Sequence, residues 1–94
     1  MNQKDLIRAK DFCIYHNIEF SFISHLESSG LVRLTSVKRT SYIPLAEIPK
    51  LEKYVRLYYD LDINIEGIET IEYLLQRIES MQKEINHLRN RVPL

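Results

Sequence analysis

Cys13, His16, His25 and His87 are the side chains best suited to metal ligation or nucleophilic attack, and their spacing argues against both. The three histidines are far apart in sequence, with no Cys-x-x-Cys or His-x-x-x-His pair to suggest a shared ion. Cys13 stands alone, so it has no internal disulfide partner, and its setting in Phe12-Cys13-Ile14 is that of a small buried hydrophobe. Gly30 and Gly67 are the only glycines, too few and too scattered for a loop that cradles phosphate. Serines and carboxylates occur, but nothing groups a nucleophile with a base and an orienting residue. The expectation is a protein without catalytic residues, metal or cofactor, whose work is binding.

Binding surfaces must be positioned by a fold, and the bulk properties bound it. A chain of 94 residues makes one domain with a thin core, a size at which a second copy or a partner adds useful cover. With 45% hydrophobic and 28% charged residues it reads as globular rather than disordered. Neither a signal-peptide pattern nor an apolar run of about 18 residues occurs, so a soluble, cytoplasmic protein with no membrane span is expected. Thirteen basic residues balance thirteen acidic ones, but unevenly. Residues 1–32 carry three basic and four acidic groups; residues 33–61 carry six and three, the cations being Arg33, Lys38, Arg39, Lys50, Lys53 and Arg56. That excess keeps nucleic acid in view, although it is weak beside the basic footprint of a DNA-binding domain.

Hydrophobic periodicity gives a helix over about residues 3–16, with Leu6, Ile7, Ala9, Phe12 and Cys13 on one face and Asn17 as its stop. A second short helix fits about residues 19–29, with Glu19 at its positive end, Ile23 and Leu26 inward and Gly30 at the C-terminal cap. Two short helices joined by a tight turn are the parts of a helix-turn-helix. Leu31-Val32-Arg33-Leu34-Thr35 and Thr40-Ser41-Tyr42-Ile43 then favour strands, with Ser36-Val37-Lys38-Arg39 as the tip of a two-stranded wing. Pro49 opens a helix to about residue 61, whose Leu51, Tyr54, Val55, Tyr58 and Leu61 recur at three and four like a buried stripe. Tyr54, Tyr58 and Tyr59 invite comparison with a base-stacking platform, but the periodicity favours core packing.

Asn64 caps a long helix over about residues 65–91, ended by Pro93. Within it Ile71, Leu74, Ile78, Met81, Ile85, Leu88 and Val92 step by three and four, a seam of the kind that lets helices pack side by side. Ile65, Ile68 and Leu75 broaden the apolar face where the helix meets the rest of the chain, and Glu79 with Lys83 forms a flanking i,i+4 pair. The remainder of so short a chain leaves the distal seam uncovered, so dimerisation through Ile71, Leu74, Ile78, Met81, Ile85 and Leu88 is expected. The units are thus residues 1–64, a winged helix-turn-helix, and residues 65–94, a long packing helix.

Several stretches carry a family resemblance. Phe12-Cys13-Ile14-Tyr15-His16-Asn17-Ile18, Gly30-Leu31-Val32, Arg56-Leu57-Tyr58-Tyr59-Asp60-Leu61-Asp62-Ile63-Asn64-Ile65-Glu66-Gly67-Ile68 and Ile85-Asn86-His87-Leu88-Arg89-Asn90-Arg91 occur in order along nearly the whole chain. They resemble the CbpM-like chaperone-modulator proteins, a MerR-type winged-helix group. The resemblance implies a mainly α, MerR-like winged helix-turn-helix with a small β-hairpin wing. It also implies binding to the J-domain of a DnaJ-like co-chaperone and inhibition of Hsp70 recruitment. Phe20 and Phe22 depart from the family, where acidic residues are common in the second helix.

Because the J-domain helix that recruits Hsp70 is strongly basic, as the resemblance implies, its ligand should offer acidic and apolar groups. Asp11, Glu19, Phe20, Phe22 and Glu27 are the expected contacts, all within the segment that has more acid than base. The alternative is a MerR-like DNA-binding transcriptional regulator, for which Arg33, Lys38 and Arg39 would reach DNA. Against it, residues 19–27 contain no Arg or Lys, the side chains that best read guanine in the major groove.

Overall fold

In the computed structural model, which describes residues 5–91, four helices and a three-stranded sheet follow the order β1 (Leu6–Arg8), α1 (Ala9–His16), α2 (Phe20–Ser28), β2 (Thr35–Val37), β3 (Thr40–Pro44), α3 (Ile48–Val55) and α4 (Ile65–Arg91). A 3-10 turn, Leu45–Glu47, leads into α3, and a π turn, Arg56–Asp60, leads out of it.

The caps explain the boundaries of the first two helices. Asn17 at φ 55° and Gly30 at φ 78° both take the left-handed conformation just past a helix. After α1, the Ile18 N–H donates to the Cys13 carbonyl at 3.0 Å; after α2, the Leu31 N–H donates to the Leu26 carbonyl at 2.9 Å. Each is the long-range bond of a Schellman motif, and each folds a hydrophobic residue, Ile18 or Leu31, back onto the core. A Cβ at Gly30 would meet nothing within 4 Å, so the cost of Gly30→Ala is the left-handed backbone alone, about 1 kcal/mol. Urea unfolding should show an earlier midpoint with an unchanged slope; a wild-type midpoint would contradict this account of the cap.

The start of the chain differs from the sequence expectation. Leu6, Ile7 and Arg8 are not the first turns of a helix but an antiparallel strand, pairing with Pro44, Ile43 and Tyr42. The partner strand lies some 36 residues away, so its pull leaves no trace in local periodicity. The wing therefore has three strands, in the order β1-β3-β2. Its hairpin is also tighter than expected: β2 pairs Val37 with Thr40, leaving a turn of only Lys38 and Arg39. Both residues have positive φ, 49° and 67°, the geometry that matches the twist of paired strands. The expected helical start at Gln3, and Val92 and Pro93, lie outside the described residues.

Phe12, Phe22, Ile23, Leu26, Ile43, Leu51, Tyr54 and Ile68 form the centre of one core joining α1, α2, the sheet, α3 and the base of α4. The expected stripe of the third helix holds only in part. Leu51 and Tyr54 are buried, but Tyr58 is 37% exposed and Leu61 62%. The π turn widens the helix over Arg56–Asp60, so residues beyond Val55 no longer fall at the α-helical angle.

Helix α4 is capped by Asn64, whose Oδ1 accepts the Gly67 N–H at 2.8 Å. Its base is held by Ile65 and Ile68 in the core, and by Glu72, which reaches Lys53 Nζ of α3 at 2.9 Å. Burial pushes the Glu72 carboxyl up, but Lys53 and a hydrogen bond from Tyr54 outweigh it and hold the group below the ordinary carboxylate range. Tyr54 in turn is pushed far up, by burial first and by Glu72 second. A depressed carboxylate stabilises the fold above its unfolded pKa and loses that contribution as pH falls through the folded one. Glu72→Gln should accordingly lower thermal stability at neutral pH, with the difference from wild type closing below about pH 4.5. A difference independent of pH would contradict this role for the ion pair.

Beyond this anchor α4 leaves the domain. The radius of gyration is 16.8 Å against about 12 Å for a compact chain of this length, and the longest axis is 56 Å.

Candidate partner-binding surface

Helix α2 presents two faces. Phe22, Ile23 and Leu26 are buried, whereas Phe20, Ser21, His25, Glu27 and Ser28 face solvent. The exposed face carries no Lys or Arg. Phe20 is 44% exposed and suits an apolar anchor. Phe22 does not: it is 5% exposed and its ring is covered by Tyr58 at 4.5 Å and Tyr59 at 5.4 Å between centroids. Two helical residues apart is about 200° of rotation, so one phenylalanine faces out and the other in.

The acidic residues expected at the surface are all exposed but differ in setting. Glu27 is free of ion pairs among the described residues, on the last turn of α2. Glu19 sits at the N-cap position of α2, and its carboxylate accepts a hydrogen bond from Ser21 Oγ at 3.3 Å. Asp11 lies on α1 with Arg8 Nε at 3.8 Å, an exposed pair of little energetic weight.

One apolar residue outside the expected set, Ile14, joins this surface, 69% exposed on α1; Tyr15, 85% exposed, lines a separate groove with Ile7, Ile48 and Glu52. A cleft of about 670 Å³ runs from α1 to the wing turn, lined by Cys13, Ile14, Ile18 and Phe20 together with Lys10 and Arg39. The signal was present in the sequence: the apolar face of the first helix already used Ala9, Phe12 and Cys13, which left Ile14 on the far side. Burial pushes the Cys13 thiol up, away from the thiolate that nucleophilic chemistry requires.

Of the cations of the alternative reading, Arg39 lines this cleft, while Lys38 and Arg33 do not. Lys38 and Arg39 form the exposed wing turn, and Arg33 is exposed before β2, its N–H donating to Glu47 Oε1 at 2.8 Å. The seam of α4 forms a further surface. Leu74, Ile78, Met81, Ile85 and Leu88 are each about half exposed, and Ile71 is partly covered near the base. Leu75, expected to broaden the contact with the domain, is 42% exposed instead. No helix among the described residues is long and apolar enough to cross a membrane.

A helix-turn-helix of α1 and α2, a three-stranded wing and a projecting final helix define a winged helix-turn-helix protein. The chain belongs to the MerR HTH family of regulatory proteins, whose family model matches residues 7–90. No curated protein and no solved structure matches the chain.

Proposed function

We propose that this protein is a chaperone modulator of the CbpM-like kind, a non-enzymatic cytoplasmic protein that engages the J-domain of a DnaJ-like co-chaperone and inhibits it. The observation that carries this reading is the outward face of α2. In a DNA-reading member of the fold this helix enters the major groove and needs cations for guanine and phosphate. Here it offers Phe20, Glu19 and Glu27, with Ile14 of α1 sharing a cleft with Phe20. Exposed aromatic and aliphatic groups beside carboxylates suit a basic, amphipathic helix of a protein partner and repel a polyanion.

A second reading, a MerR-like DNA-binding regulator, is favoured by the family match and by Arg33, Lys38 and Arg39 on the wing side. Fluorescence anisotropy separates the two. A labelled J-domain from the same organism should bind the protein, and a labelled DNA duplex should show only weak, salt-sensitive association. Sequence-selective binding of DNA with a dissociation constant of about 10⁻⁸ M or tighter would favour the regulator.

The protein acts as a homodimer in this proposal, two α4 helices covering each other's seams. The apolar side chains lie along one face, and none of the described residues outside α4 covers their distal part.

A further inference from the structure

Beside the acidic face of α2 lies a smaller pocket of about 410 Å³, lined by Asn17, Ile18, Glu19, Tyr58 and Tyr59. We infer that it is a seat for one arginine side chain of the protein partner, with Tyr58 and Tyr59 receiving the guanidinium plane and Glu19 pairing its charge. The inference rests on the proposed engagement of a basic helix and names where one residue of that helix is held.

The π turn builds the pocket. It brings consecutive tyrosines, Tyr58 and Tyr59, against α2, their rings 5.0 Å apart and inclined at 69°. Both pack on the buried Phe22, which supports them from behind. The Glu19 N–H donates to the Tyr59 hydroxyl at 3.4 Å, and Ser21 Oγ holds the Glu19 carboxylate. Two half-exposed aromatic walls and an oriented carboxylate therefore meet at one opening. Among the described residues the one cation set over an aromatic ring is Lys53, over Tyr54, and none is set over Tyr58 or Tyr59.

Helix ends do not decide the sign of this pocket. The end of α1 at Asn17 favours a cation and the start of α2 disfavours one, so the two largely offset. The Glu19 charge and the negative faces of the tyrosines remain, and both attract a cation. Arginine fits better than lysine because its flat, weakly hydrated guanidinium stacks on a ring while its N–H groups bond a carboxylate.

The test uses the full-length protein in two titrations. In the first, NMR follows Tyr58, Tyr59 and Glu19 as an arginine-bearing helical peptide is added, and then the same peptide with citrulline, its uncharged isostere. Shifts confined to these three residues and seen only with arginine support the seat. Equal shifts with both peptides, or none with either, overturn it whether or not the J-domain is the true partner. In the second, J-domain affinity is measured for wild type, Tyr59→Phe and Tyr59→Leu, with circular dichroism to confirm the fold. Tyr59→Phe keeps the ring face and should stay close to wild type, whereas Tyr59→Leu should bind about five- to tenfold more weakly. If Tyr59→Leu is folded and binds like wild type, the seat is wrong although the chaperone reading survives. If wild type itself ignores the J-domain but the arginine peptide still fills the pocket, the chaperone reading fails and the seat stands.

Discussion

Ile78→Asp combined with Ile85→Asp is expected to convert the protein from a dimer to a folded monomer. Both positions lie on the distal part of α4, 56% and 46% exposed, away from the core of the winged domain. Covering a half-exposed Leu, Ile or Met contributes about 1 kcal/mol, and with five such residues on each helix the gain is on the order of 10 kcal/mol. Association costs from about 4 to 15 kcal/mol in lost freedom, so the seam leaves a surplus of at most about 6 kcal/mol. Four carboxylates placed into it would cost several kcal/mol for each uncompensated charge, far more than that surplus. Sedimentation equilibrium should report the monomer mass, with the core of Leu51, Tyr54 and Ile68 intact by circular dichroism. A dimer that persists would show that the seam of α4 is not the interface.

The second large effect concerns the partner surface. A Glu19→Lys, Phe20→Ala, Glu27→Lys variant should lose J-domain binding by two orders of magnitude or more while remaining folded. All three residues are exposed, so their replacement leaves the core of Phe22, Ile23 and Leu26 untouched. Phe20 is the aromatic anchor, and truncating such a residue at the centre of an interface typically costs about 2 kcal/mol or more. Reversing Glu19 and Glu27 turns attraction for a basic helix into repulsion, which slows association and reverses the salt dependence of binding. A triple variant that binds like wild type would place the contact elsewhere on the protein.

The caps and the seam were legible in the sequence; long-range pairing and the π turn were not. Asn17, Gly30 and Asn64 are residues whose chemistry suits helix ends wherever they occur, and all three stand where helices stop or start. The seam was legible because its period repeats over many turns. Strand β1 was not, since Leu6 and Ile7 satisfy a helical face as well as a strand and only the distant Ile43 and Pro44 decide between them. α-Helical spacing puts Tyr58 and Leu61 in the core, and a π turn breaks that spacing without any Gly or Pro to announce it. At the candidate surface Asp11, Glu19, Phe20 and Glu27 are exposed as expected. Phe22 is buried because Tyr58 and Tyr59, which no local pattern links to it, close over its ring.

Isothermal titration calorimetry of the wild-type protein against the J-domain of the co-chaperone from the same organism tests the central claim most directly. The account predicts a saturable complex whose affinity falls as salt rises, with one J-domain bound for each chain. No detectable heat at high micromolar concentration, together with base-selective binding of a DNA duplex by the same sample, would contradict it and establish the regulator in its place.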